Sequence, residues 1–180
     1  SRAILQPFEA YQKARVQFVQ TVAELASRAQ NIEALQSAGN APVSSHRLIS
    51  SYSQGHGAPQ TSPSRQRPFN PAIAALALGR LATHSDDLAE AIVSNQILPQ
   101  LVYSLSEQNV ILISVALAQT ALEIYKKAAA FVLRAVARHN EQLAQAVVDS
   151  GALDSLVICL EEFDPSVKEA AAWALSHIAK

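Results

Sequence analysis

The run from Ala128 to Leu160 reads AAAFVLRAVARH, NEQLAQAVVDSG, ALDSLVICL, and parts of it return on both sides in the same order. Downstream, AAAWALSHIAK sets Phe131 against Trp173, Leu133 against Leu175, Val136 against Ile178 and Ala137 against Ala179, a constant offset of 42 residues. Upstream, ALALGRLATH, SDDLAEAIVSNQ and ILPQLVYSL set His84 against His139, Leu88 against Leu143 and Leu101 against Leu156, an offset of 55, which is 42 plus 13. A chain built from such copies must bury each apolar face against its neighbours.

A period in the forties with two or three helical segments per unit predicts an all-α armadillo or HEAT array, here an armadillo-repeat right-handed superhelix of about three to four repeats. Composition agrees. Apolar residues are 49% and aromatics only 6%, with 5 Gly, so Ala and Leu carry the packing, which suits close helix contact better than a sheet. The predicted organisation is a helical capping repeat over 1–39, a linker over 40–70 and repeats over 71–180, in units of about 71–106, 107–160 and an incomplete 161–180.

In the first segment Phe8, Tyr11, Val16, Phe18, Val19, Val22, Leu25, Ile32 and Leu35 recur at helical intervals from Pro7 onward, with Gly39 as a stop. The span from Asn40 to Pro71 then holds seven Ser, five of the eight Pro and no helical period, so it is expected to be a disordered linker. A basic docking segment around Arg65 and Arg67 is the functional alternative. Helices are expected around Ala72 to His84, Asp86 to Asn95 and Leu98 or Pro99 to Ser106, with Ser85 as N-cap.

The 13 extra residues fall within Val110 to Ile124, where a helix would grow by roughly 20 Å. No Gly or Pro interrupts the sequence there, so one long helix from about Asn109 to His139 is expected. Helices from Asn140 to Ser150 and Ala152 to Leu160 should follow, joined at Gly151, with Asp164 and Pro165 opening a last one. Phe131 and Trp173 should enter an interior continuous between layers. Trp173, Leu175 and Ile178 are residues that a following unit would cover, which suggests a shortened form of a longer array.

The net charge is −1, which excludes a global pull toward nucleic acid or an anionic membrane. Arg47, Arg65 and Arg67 sit in the acid-free linker; taking those three from 14 bases leaves 11 against 15 acids, so the helical part is mildly acidic. One cysteine, Cys159, excludes an internal disulfide, and no basic segment followed by a long apolar one opens the chain. The apolar run Val110 to Leu122 is shorter than the ~20 residues a membrane span needs. A soluble protein of a reducing intracellular compartment, the cytoplasm, is expected.

No catalytic constellation emerges. His84, His139 and His177 hold related places at helix ends about 10 Å apart, too far for metal ligands at about 2 Å, and are read as complementing helix dipoles. Cys159 in LVICL reads as a small buried hydrophobe without a local base. Asp86 with Asp87 and Glu161 with Glu162 read as caps and solvated ends. The row of long helices should instead present a basic stripe of Arg80, Lys126, Lys127, Arg134, Arg138, His139, His177 and Lys180, able to receive an acidic partner such as a tubulin surface.

The runs YKKAAAFVLRAVARH, NEQLAQAVVDSGALDSLVICLEEFDPSVKEAAAWALSHIAK, FEAYQKARVQFVQTVAELASRAQNIEALQSAG and LALGRLATHSDDLAEAIVSNQILPQLVYSLSEQN closely resemble the sperm-associated antigen six family of armadillo-repeat proteins of the axonemal central apparatus. The resemblance implies a non-enzymatic scaffold without cofactor or metal, associated with central-pair microtubules of motile cilia and flagella and supporting motility and axoneme integrity. Its implied partners are axonemal proteins and microtubules, with no nucleic acid and no membrane. The spans Asn40 to Pro71 and Val110 to Ile124 depart from the family pattern. A soluble peptide-binding adaptor is the alternative; the nuclear-transport armadillo proteins resemble it less, since their Trp ladder is followed four residues later by Asn, whereas here Trp173 is followed by His177, Phe131 by Ala135 and Leu76 by Arg80.

Overall fold

The computed structural model describes residues 2–28, 30, 31, 34, 71–106 and 115–180. Their helices are α1 (Arg2–Leu25), α2 (Pro71–His84), α3 (Asp86–Ser94), α4 (Ile97–Ser106), α5 (Val115–Ala137), α6 (Glu141–Asp149), α7 (Ala152–Leu160) and α8 (Pro165–Ile178). No strand occurs among the described residues. The expected linker over 40–70, its Arg65 and Arg67, and the start of the long helix before Val115 lie outside the described residues.

Equivalent residues close equivalent helices. Ser85 caps α3 by accepting the amide of Leu88, and Asn140, 55 positions later, caps α6 by accepting the amide of Leu143 at 2.8 Å. Asp164 caps α8 with one carboxylate oxygen, which accepts the amides of Ser166 at 2.6 Å and Val167 at 3.1 Å, and Pro165 takes the first turn where its missing N–H removes nothing. The turns between α3 and α4 and between α6 and α7 also correspond: both need a left-handed residue, supplied by Gln96 (φ 56°) in one and Gly151 (φ 80°) in the other. Gly151 adopts it freely; Gln96 meets the steric penalty of a Cβ in that region.

The helices pack in rows. The long helices α2, α5 and α8 lie side by side in that order, α3 neighbours α6, and α4 neighbours α7, so each α-helical triplet stacks on the next as a layer; α1 lies against α2. The buried side chains form one cluster from Val19 and Val22 of α1, through Leu78 and Leu81, Leu101 and Leu105, Leu133 and Val136, to Leu156 and Ala174. Its continuity across layers is what makes each layer depend on its neighbours. The same cluster is rich in alanine on α2, α5 and α8, and small side chains let those helices approach closely.

The approach is closest where Phe131 of α5 lies on Gly79 of α2. A Cβ built on Gly79 would stand 2.6 Å from Cε1 of the Phe131 ring and closer still to Cδ1, so only glycine fits beneath it. Gly79 is therefore the groove that accepts this aromatic knob.

Three expectations need correction. The first helix begins at Arg2, five residues before Pro7, and ends at Leu25 in hydrogen-bonded turns through Arg28. Tyr11, counted among its apolar face, is exposed because α2 meets the later turns that carry Val19, Val22 and Ala23. Neither Phe131 nor Trp173 joins the buried interior: Phe131 is only half-buried, and Trp173, with half of its surface open, engages a cation instead of core side chains.

Candidate functional site: a groove between α5, α6 and α8

The cations expected to form one stripe divide into two groups. Arg80 on α2 donates from Nη1 to the carbonyl of Ala23 and so ties α2 to the last turns of α1. Lys126 on α5 is buried, with 3% of its side chain exposed, and its ammonium pairs with Glu162 in the turn after α7. His139, just past α5, directs Nε2 to the carbonyl of Ala82 and Nδ1 to the carboxylate of Asp86, so it joins its own layer to the turn between α2 and α3. Lys127 is half-buried close enough to Asp164 for its charge to help hold that carboxyl below the usual range, after the larger effect of the Ser166 hydrogen bond. Arg80, Lys126 and His139 are committed to holding the layers together, and Lys126 in particular is removed from any surface that a partner could touch.

The second group stays available. Arg134 near the end of α5 and Arg138 just past it stand one turn apart, and neither guanidinium pairs with a carboxylate or donates a hydrogen bond among the described residues. Two like charges at that spacing oppose the helix by roughly 0.2–0.5 kcal/mol. Arg134 rests over Trp173 of α8, with its guanidinium carbon 5.0 Å from the ring centroid. A cation over an indole face at such an exposed place contributes about 0.5–1 kcal/mol and leaves the outer N–H groups of the fork free. His177 follows one turn after Trp173; its Nδ1 lies 2.9 Å from the Trp173 carbonyl oxygen and its ring centroid 6.3 Å from that of the indole.

Arg134, Arg138 and His177 border an open groove of about 740 Å³ between the C-terminal half of α5, α6 and the end of α8, while Trp173 lies beside it under the Arg134 guanidinium. Arg134, Arg138, His177 and Lys180 line it, and Glu141 is the acidic side chain among the lining residues. The groove exists because α6 leaves α5 through the short turn at His139 and Asn140, so α6 and the end of α8 flank the same stretch of α5. Sequence reading named Arg134, Arg138 and His177 together with Arg80, Lys126 and His139, and could not separate them because the latter's partners are 36 to 57 positions away.

Elsewhere the chemistry is structural. Cys159 is buried with its sulfur 3.9 Å from the Leu105 carbonyl oxygen, and burial pushes its thiol up to about 11. The absence of a nearby base expected from LVICL does not hold, since Lys126 approaches from α5, but its lowering effect is smaller than that of desolvation. Among the described residues no group of three or more His, Cys, Asp and Glu could hold a metal ion. No single helix among them is long and apolar enough to cross a membrane; the bent pair α6 and α7, apolar together, turns by 78° between its halves.

The family described as Armadillo/beta-catenin-like repeat matches residues 140–180. Over 108 residues, 60% of this chain, the sequence is 58% identical to Sperm-associated antigen 6 of Mus musculus, and over a stretch of the same length to that of Homo sapiens. The matched part is 18% of either relative, so the chain spans less than a fifth of their length. An engineered protein of the Northeast Structural Genomics Consortium superposes with a TM-score of 0.66 at 25% identity, over 93% of this chain and 58% of that one. The designed armadillo repeat protein YIII(Dq)4CqI has the same fold, with a TM-score of 0.64 at 18% identity over 92% of this chain and 63% of its own.

Proposed function

We propose that this armadillo-repeat chain, a relative of sperm-associated antigen 6, is a non-enzymatic scaffold of the ciliary or flagellar axoneme. It acts there beside the central-pair microtubules and contributes to motility and to axoneme integrity. The observation that carries this reading is the 58% identity over 108 residues to proteins named for their association with sperm. The armadillo-like stacking of layers supports the scaffold part, since each layer depends on its neighbours and the array as a whole offers an extended surface for contact.

Such a scaffold acts by presenting rigid surfaces. Three interlayer clamps, Arg80 to Ala23, His139 to Ala82 and Lys126 to Glu162, hold the layers in register, so a partner meets a preformed face with little ordering cost. Microtubules and axonemal fractions mixed with the purified full chain test this reading by co-sedimentation. Enrichment of the chain in the pellet is expected. A chain left wholly in the supernatant, with and without other central-apparatus components, overturns it.

A soluble peptide-binding adaptor is the second reading, and the open groove beside Arg134 favours it. The two differ in where the chain is found, not in how its groove works.

A further inference from the structure

From the groove between α5, α6 and α8 we infer a docking site for an acidic protein segment, with Arg134 as the seat of a Glu or Asp carboxylate. The inference deepens the scaffold reading by stating what the groove takes, and it rests on that reading only for the chain being an interaction protein.

Charge complementarity selects the occupant. Four cationic or ionisable basic side chains, Arg134, Arg138, His177 and Lys180, converge on the groove, and Glu141 is the single acidic one among its lining residues. Outside 40–71 the chain is mildly acidic, so this concentration is local and not an effect of overall charge. A buried or internally paired cation would leave nothing for a ligand. Arg80, Lys126 and His139 are of that kind; Arg134 and Arg138 are not, since neither forms an ion pair or side-chain hydrogen bond among the described residues.

Arg134 is also pre-positioned. Its guanidinium lies over the Trp173 ring, a contact that restrains the long side chain, and the planar fork suits a two-oxygen carboxylate. Arg138, one turn further, and His177, whose Nδ1 is turned to the Trp173 carbonyl, flank the position. Trp173 keeps 50% of its surface open beside the stacked cation, so an apolar side chain next to the acidic one has a face to cover. The preferred segment therefore carries acidic residues interspersed with apolar ones.

The experiment measures binding of the full chain to a fluorescein-labelled peptide of alternating glutamate and leucine by anisotropy, beside a lysine–leucine peptide and an oligothymidylate. The glutamate peptide should bind, with affinity falling as salt rises, and the lysine peptide should not. Arg134→Gln combined with Arg138→Gln should weaken binding by roughly tenfold or more, the scale of a lost charge-assisted contact. Trp173→Leu, which keeps an apolar side chain but removes the stack, should weaken it by a smaller factor. Unchanged melting temperatures confirm that the exposed substitutions leave the fold intact. Binding that the double substitution does not alter, equal capture of the lysine peptide, or equal capture of the oligothymidylate as a generic polyanion overturns the inference. None of these readouts involves an axoneme, so failure here and failure of the axonemal reading are separate results.

Discussion

Lys126 of α5 and Glu162, in the turn that follows α7, form an ion pair whose lysine side chain is 3% exposed while its glutamate remains 27% exposed. The pair links two helical rows at the point where one layer meets the next. A buried ammonium is tolerated only with a partner, because removing either member leaves the other charge uncompensated.

Glu162→Ala is therefore expected to be much more harmful than its position in a surface turn suggests. The loss should be about 3 kcal/mol, the lower end for breaking a buried pair because Glu162 is partly solvated. Replacing both residues, Lys126→Met with Glu162→Leu, should recover most of it. Denaturant melts of the three proteins check the prediction, and equal instability of single and double variants would contradict it.

Gly79→Ala ought to destabilise the contact between α2 and α5, although alanine is the better helix former by about 1 kcal/mol. The new methyl collides with the half-buried Phe131 ring, which must shift to make room. Overpacking of this kind costs about 1–3 kcal/mol, and it should be relieved in the double variant Gly79→Ala with Phe131→Leu. A thermodynamic cycle between the two positions measures the coupling.

Gln96→Gly should stabilise the protein by about 1 kcal/mol, since the left-handed backbone at this turn penalises any Cβ. The corresponding Gly151→Ala should do the reverse by a similar amount, through backbone strain alone, because nothing lies within 4 Å of the added methyl. Shifts of melting temperature in opposite directions are the expected result.

Cys159 and Asp164 contribute to stability at opposite ends of the pH range. Burial raises the Cys159 thiol to about 11, so between the ordinary value of 9.0 and about 11 the unfolded chain loses a proton that the folded one keeps. Stability falls as pH rises through that window, and a disulfide reagent at about pH 8 should modify the thiol only as fast as the chain opens. Asp164 works in the opposite direction. Hydrogen bonds from Ser166 and Val167 lower its pKa, so its contribution is present above the ordinary carboxylate range and is lost as pH falls through the lower folded value. In Asp164→Asn the acid limb of a melting-temperature profile should flatten.

The helices and their order were readable from residues because they depend on local chemistry repeated in register. Apolar spacing, Ser85 and Asp164 as caps, Gly151 at a turn and Pro165 in a first turn each act within a few positions of themselves. The 42- and 55-residue offsets then located equivalent faces without any knowledge of how layers meet. The candidate site was readable only as a list of basic residues on one row of helices. Charge type is local information, but whether a charge is free is not.

That division has a physical cause. Helix propensity, capping and amphipathic spacing are properties of neighbouring residues, so the chain's own sequence determined an all-α repeat array, though not every buried face, as exposed Tyr11 and Trp173 show. The tertiary structure alone decided that Lys126 would meet Glu162, that Arg80 and His139 would bind carbonyls 57 positions away, and that Arg134 would rest on Trp173. Desolvation and pairing depend on which helices are brought side by side, and the stacking of layers, not the order of residues within one, sets which cations are consumed inside and which remain at the groove.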